Sequence, residues 1–297
     1  MKSFRNLNGA TLVFLSSFFY GTYGIWNKML GPDVGAFSQA ALRSLLIVLV
    51  ILPLVLRRKD LKRPTLGGDW KWILLMGGGA LFSQSAYFIA VNRVGIGLGV
   101  TIMFTIYVLL LMIWGALYDK VPFTSANLIS LLLAIAGLVL LCNPNGRVDI
   151  VGIGWSIVSG LAIAATIVGG KYMTGGPLYA LLVGWGLCAI TNGIIGLVLH
   201  EPLGVLITPS HALAVLAYTA ASIAASFTLQ SGVRQISAAL TGLIGLLENV
   251  FAIIFGAVIF GERLGWLGLA GALIILVAIA VPDLQALMNK RRNHAIG

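Results

Sequence analysis

The chain has 297 residues, of which 59% are hydrophobic and 9% charged, with a net charge of +10 at pH 7. An average soluble domain is about a quarter charged, so this composition excludes a water-soluble globule and indicates an integral membrane protein. The basic balance does not indicate a nucleic-acid partner, because the Lys and Arg residues gather in short segments between apolar runs, as in polytopic membrane proteins. Cys142 and Cys188 both lie in apolar context, which supports neither a disulfide framework nor a redox motif.

Apolar runs of about 17 to 25 residues are candidate spans, and there are ten: 9–27, 34–56, 70–91, 95–117, 125–141, 150–170, 178–199, 212–233, 236–260 and 264–281. Lys2 and Arg5 open the chain like a signal peptide, but no small-residue cleavage pattern follows the first run. It is therefore read as a retained helix. On that helix Ser16, Tyr20, Tyr23, Trp26 and Asn27 form an aromatic and polar face; Tyr20 suits a cavity wall, and Trp26 suits the interfacial belt. Lys28 ends the helix, where it favours the C-terminal dipole or acts as a gate. The second run carries Arg43, an intramembrane cation whose planar fork fits a substrate carboxylate or a structural partner. On the third, Gln84 and Tyr87 stand at i, i+3, and on the fourth Thr101 and Thr105 form a mild polar face, for transport or for helix packing. Trp155 and Ser159 stand at i, i+4 on the sixth, and Gln230 lies near the end of the eighth.

The ninth run, "LTGLIGLLENVFAIIFG", is apolar except for Thr241 and the pair Glu248 and Asn249. Thr241, Gly245 and Glu248 follow i, i+4, i+7 spacing and share one helix face. A carboxylate near the bilayer midplane costs roughly 2.5 to 3.5 kcal/mol on insertion scales and marks a functional site by default. Two readings stay open: a coupling site for a proton or a substrate ammonium, or a structural ion pair with Arg43.

In the ten-span scheme one membrane face holds fourteen of the Lys and Arg residues, including the run Arg57 to Arg63, and the other holds Lys28, Arg93, Arg147 and Arg263. The positive-inside rule then puts both termini in the cytoplasm. Sliding the chain by 143 residues pairs Gly9 with Gly152, Ser16 with Ser159, Lys28 with Lys171, Tyr87 with Gln230, Thr105 with Glu248, and Asp119-Lys120 with Glu262-Arg263. Five helices are thus duplicated, 1–145 and 146–297, and an odd number per copy makes the copies opposite in orientation. The expected fold class is all-α, ten transmembrane helices in two inverted five-helix repeats, an architecture of secondary carriers.

Three stretches carry a family resemblance. "FFYGTYGIWNKML" has Tyr20-Gly21 and Lys28 where EamA-like members of the drug/metabolite transporter superfamily have a Trp-Gly and a Lys. "FSQAALRSLLIVLVILPLVLRRK" resembles that family's second helix. "LTGLIGLLENVFAIIFGAVIFGERL" is similar to its most specific stretch, with Glu248 and Glu262 matching and Asn249 in place of a proline that would kink the helix. The resemblance implies a ten-helix carrier of amino acids or related small metabolites, often moving them outward. The expected partners are a small-molecule substrate, the lipid bilayer and protons, the chain acting as a monomer or weak dimer in the inner membrane. No cofactor or metal is expected: His200, His211 and His294 are scattered, the Gly95-Gly97-Gly99 cluster lacks the context of a phosphate loop, and no catalytic triad is readable. A membrane enzyme and a channel are the rival readings.

Overall fold

The computed structural model describes residues 7–30, 35–65, 67–122, 124–142, 149–202, 208–261 and 265–296, with side chains described up to residue 282. Among these residues all regular structure is helical. The order is α1 (Gly9–Gly21), α2 (Tyr23–Leu30), α3 (Ala36–Arg57), α4 (Trp70–Val94), α5 (Ile96–Leu117) and α6 (Ser125–Cys142). It continues with α7 (Ile150–Tyr172), α8 (Gly176–Val198), α9 (Pro209–Gly232), α10 (Ala238–Gly245), α11 (Leu247–Phe260) and α12 (Trp266–Ile296). Eight runs are long and apolar enough to cross a membrane, α10 and α11 counting as one, and Trp266–Pro282 is a shorter apolar helix.

The expected first and ninth spans are not continuous helices. The first is interrupted at Thr22, between α1 and α2, and the ninth at Leu246, between α10 and α11. At Thr22 the backbone tightens, Thr22 N–H donating to Phe19 O and Ile25 N–H to Thr22 O, while the Thr22 hydroxyl donates to Phe19 O at 2.7 Å. At Leu246 the same i to i−3 pattern recurs, Leu246 N–H to Leu243 O and Asn249 N–H to Leu246 O. The ninth run therefore breaks without a proline. Its backbone is met from outside: the Ser17 hydroxyl donates to Ile244 O at 3.1 Å, and the Tyr107 phenol occupies the space that a side chain on Gly245 would need. Short 3₁₀ stretches inside a helix mark hinges or strain. Here the two interruptions pack on each other, α1 against both α10 and α11.

The helix packing has an internal symmetry. The extensive contacts are α4 with α7 and its counterpart α1 with α9, α5 with α7 and its counterpart α1 with α10 and α11, and the self-paired α3 with α8, α6 with α12, and α5 with α10. Exchanging the first half of the chain for the second maps the first two onto their counterparts and the self-paired three onto themselves. Lipid gives apolar helices no solvent-driven reason to associate, so close approach over small residues holds such a bundle together. Gly79 and Gly169 sit on the α4–α7 contact directly against backbone of the facing helix, and Gly137 and Gly271 meet across α6 and α12.

Candidate functional site

A cavity of about 940 Å³ lies among α1, α2, α4, α5, α7, α8, α9, α10 and α11. Its mouth is formed by exposed residues, Gly24, Asn27, Lys28 and Ile96, and its floor by buried ones, Met76, Ile167 and Gln230. Among the described lining residues the exposed ones are these four and Ala252, and those toward the Asp119 end are buried or half-buried.

Glu248 stands on the first turn of α11, just past the interruption at Leu246, and lines this cavity with Asn249. Among the described residues its carboxylate makes no hydrogen bond or ion pair, and the Asn249 amide nitrogen is buried without a partner. Gly21 sets their position. A side chain there would strike Phe251 Cβ at 2.5 Å and press on the Glu248 carbonyl at 3.2 Å, so the bare backbone of α1 is what lets α11 come this near. Tyr20, Tyr87 and Tyr107, from α1, α4 and α5, share the same wall. The Tyr20 hydroxyl bonds Ser226 Oγ at 2.9 Å.

Arg43 is 2% exposed and does not line the cavity. Its guanidinium carbon lies 4.0 Å from the Tyr218 ring centroid, 5.1 Å from Tyr23 and 5.5 Å from Trp185, and its Nη2 donates to Gln84 Oε1 at 3.3 Å. Cation–π contacts to electron-rich faces offset part of the cost of burying the charge. The expected alternative, an ion pair between Arg43 and Glu248, is not formed; the Tyr23, Trp185 and Tyr218 rings that pack on the guanidinium themselves line the cavity.

The other candidates divide. Tyr20, Gln84, Tyr87 and Gln230 reach the cavity, as does Lys28, whose Nζ lies 4.1 Å from the Phe260 ring. Gln230 Oε1 is buried with no partner. Thr105, Trp155, Ser159 and Thr241 do not line it. Ser159 is spent on helix packing, its hydroxyl donating to Ser83 O at 3.1 Å, and Thr241 bonds back to Ser237 O at 3.0 Å, the local bond open to any helical threonine. Thr105 was expected by its equivalence to Glu248 under the 143-residue shift; Tyr107, two residues on, fills that role on α5. Tyr107, Trp185, Tyr218 and Ser226 were missed, although Tyr218, Ser222 and Ser226 form an i, i+4, i+8 polar face that the sequence displays.

The end opposite Lys28 is held by Asp119, which follows α5. Both its oxygens accept from Lys171 Nζ at 2.7 Å, one accepts from the Tyr172 hydroxyl, and the other accepts from Ala238 N–H at 2.6 Å. Lys171 also donates to Ile236 O at 2.8 Å. This carboxylate thus joins the ends of α5, α7 and α10, and Lys171 does more there than complement a helix dipole. Burial alone would push the Asp119 carboxyl up, but the bonds from Lys171, Tyr172 and Ala238 outweigh it and hold its pKa below the ordinary value. Trp114 stacks on Tyr118 at 4.1 Å and Trp72 packs on Tyr172 at 4.8 Å beside it. The repeat counterpart of Asp119, Glu262, lies outside the described residues, as does Arg263.

Two further carboxylates repeat one another. Asp69, before α4, accepts from Thr174 N–H at 2.9 Å and from Thr65 N–H at 3.0 Å. Glu201, before α9, accepts from Ser38 N–H at 2.8 Å, at the start of α3. Each ties the loop ahead of one repeat's third span to the turn ahead of the other repeat's second span.

The model of the EamA-like transporter family matches residues 7–143 and again 150–281. No curated protein matches the chain. Among solved structures 29 chains match. One of them, titled only as a crystal structure of a protein, superposes with a TM-score of 0.78 over 94% of this chain and 98% of its own, at 19% identity; it is similar in fold. Two family matches spanning nearly the whole chain, on an all-helical bundle that surrounds one cavity, have a single conclusion: the chain belongs to the EamA-like transporter family.

Proposed function

We propose that the protein is a secondary carrier that exports small amphipathic metabolites bearing an amino group, by alternating access around Glu248, with protons competing for the same carboxylate. In this reading the α1–α2 and α10–α11 pairs each count as one span, giving ten spans in two inverted repeats with both termini cytoplasmic. The exchange symmetry of the helix contacts and the Asp69 and Glu201 ties support the duplication. The single observation that carries the function is the Glu248 carboxylate, without a partner among the described residues, held at a helix interruption and lining the cavity. A carboxylate at that depth is tolerable only when protonated, paired or wet. A bound cation and a bound proton are then alternatives, and exchanging them on opposite sides of the membrane couples their movements.

The test is amine counterflow in proteoliposomes under an imposed pH gradient. Glu248→Gln keeps the side chain's shape and removes its charge, so the variant is expected to fold, to lose roughly ten- to a hundredfold in flux as a charged contact is lost, and to stop responding to the gradient. Unchanged flux with an unchanged gradient response overturns the reading. A channel reading predicts conductance steps in single-channel recording, which a carrier does not give.

A further inference from the structure

The sequence permits two ligand classes for this cavity, an amino acid and an amine without a carboxylate, which differ in needing a cation for the carboxylate. Three observations bear on the choice, and they rest on the carrier reading above. First, among the described lining residues the cavity's interior carries one carboxylate, Glu248, and its one cation, Lys28, is at the mouth. The Gln230 Oε1 acceptor is buried without a donor; Arg43, whose Nε has no partner, does not line the cavity, its guanidinium packing on the rings of Tyr23, Trp185 and Tyr218 and its Nη2 donating to Gln84. Lys28 has its Nζ over the ring of Phe260, twelve residues along α11 from Glu248.

Second, tyrosine rings line the same cavity as Glu248: Tyr20, Tyr87, Tyr107 and Tyr218. Among the described residues the Tyr87 and Tyr107 hydroxyls carry no hydrogen bond, while Tyr20 and Tyr23 are anchored on Ser226 and Ser222. A carboxylate with tyrosine faces around it is the arrangement that holds an ammonium, the charge on the oxygens and the C–H groups against the rings. Third, much of the remaining wall is apolar, with Val100, Met103, Phe104, Ile163, Ile167 and Leu181, and its polar members, among them Ser16, Ser83, Gln84 and Asn249, are neutral. A ligand carboxylate would be desolvated there with no cation to pair it.

We infer that the cavity selects organic amines lacking a carboxylate, seating the ammonium on Glu248 between Tyr20, Tyr87 and Tyr107, and that Arg43 organises the aromatic wall and does not receive a substrate carboxylate. Discrimination then comes from what the wall cannot satisfy, since a site rejects a ligand whose charge it leaves unpaired.

Phenethylamine and phenylalanine are a matched pair, alike except for the carboxylate. Binding of each to the purified full-length protein in nanodiscs, read by the quenching of Trp185 and by thermal stabilisation, is expected to favour phenethylamine by about tenfold or more. Glu248→Gln is expected to weaken phenethylamine by a similar factor, and Tyr107→Ala, which removes a ring without touching the charge, by a smaller one. Equal or tighter binding of phenylalanine, no binding of either compound, or phenethylamine binding indifferent to Glu248 overturns the inference. The wild-type comparison alone decides the ligand class if a variant fails to fold. Counterflow of phenylalanine that depends on Glu248 would refute the amine class and leave the carrier reading standing; Glu248-independent flux of every solute would refute both.

Discussion

The two ends of the bundle solve the same problem differently. At one end three helix termini converge on Asp119, whose two oxygens receive an ammonium, a phenol and a backbone N–H, with Lys171 and Asp119 only 9% and 13% exposed. At the other, the described carboxylates serve single helix starts: Asp149 caps α7 and meets Arg93 at 3.1 Å with side chains 31% and 50% exposed, and Glu201 receives Ser38 N–H. The Asp119 end is closed by one shared acceptor, and the Lys28 end stands open above Glu248. A charge-assisted bond contributes most when it is shielded from water and shared among several donors, so the difference in construction is a difference in which end is presently held shut. In the carrier reading proposed above, the open end of this state is the closed end of its counterpart.

That contrast can be broken in four ways, in order of expected effect. Asp119→Asn removes the acceptor charge and leaves Lys171 buried without an ion partner, a loss of about 1 to 3 kcal/mol. The end should loosen, with a roughly 5- to 150-fold shift in the balance between closed and open forms, seen as faster modification of a cysteine placed at Gln235. Gly169→Ala should lower the melting temperature: its methyl meets the backbone of Met76 and Trp72 on α4, and overpacking of this kind costs about 1 to 3 kcal/mol. Gly154→Ala, on the same helix with nothing within 4 Å, should leave the melting temperature unchanged or slightly higher. Equal losses at both would remove the packing account of α4 and α7.

The pH response of the closed end has a definite sign. Asp119 titrates below its ordinary pKa, so what it contributes is fully present above about pH 4 and disappears as pH falls through the lowered value. Modification at the Asp119 end should therefore be flat between pH 5 and 8 and rise only in stronger acid. A rise near neutrality would mean that something other than Asp119 closes this end. The smallest effect is expected from Arg93→Gln, because the Arg93–Asp149 pair is solvated and such pairs contribute little; a clear drop in melting temperature there would erase the distinction between the ends.

How much of this was visible in the sequence follows from what each feature depends on. Glu248 was legible because a charge in an apolar run is conspicuous whatever surrounds it, and Lys28, Tyr20, Gln84, Tyr87 and Gln230 were legible as polar groups at helical spacing. Tyr107 and Trp185 were not, since an aromatic residue in an apolar helix reads equally as packing and only the helix rotation decides which it is, whereas Tyr218 stood on a displayed face with Ser222 and Ser226 and was passed over. The 143-residue shift carries backbone positions from one half to the other, which is why it found the halves. It does not carry side-chain facing, which is why it gave Thr105 where Tyr107 lines the wall. Asp119 and Lys171 are 52 residues apart in the chain, and no local pattern announces their meeting. The break at Leu246 was hidden too, because its causes, Ser17 and Tyr107, come from α1 and α5.

The central claim is that the two ends open and close in opposition about Glu248. With Cys142 and Cys188 replaced, spin labels at the exposed positions Tyr118 and Gln235 report the Asp119 end, and labels at Met29 and Ile96 report the Lys28 end. Double electron–electron resonance in nanodiscs, before and after introducing Asp119→Asn, should show the first distance lengthening while the second shortens. If both distances lengthen together, or the Lys28 end stays unmoved while the Asp119 end opens, the ends are independent and alternating access around Glu248 is contradicted.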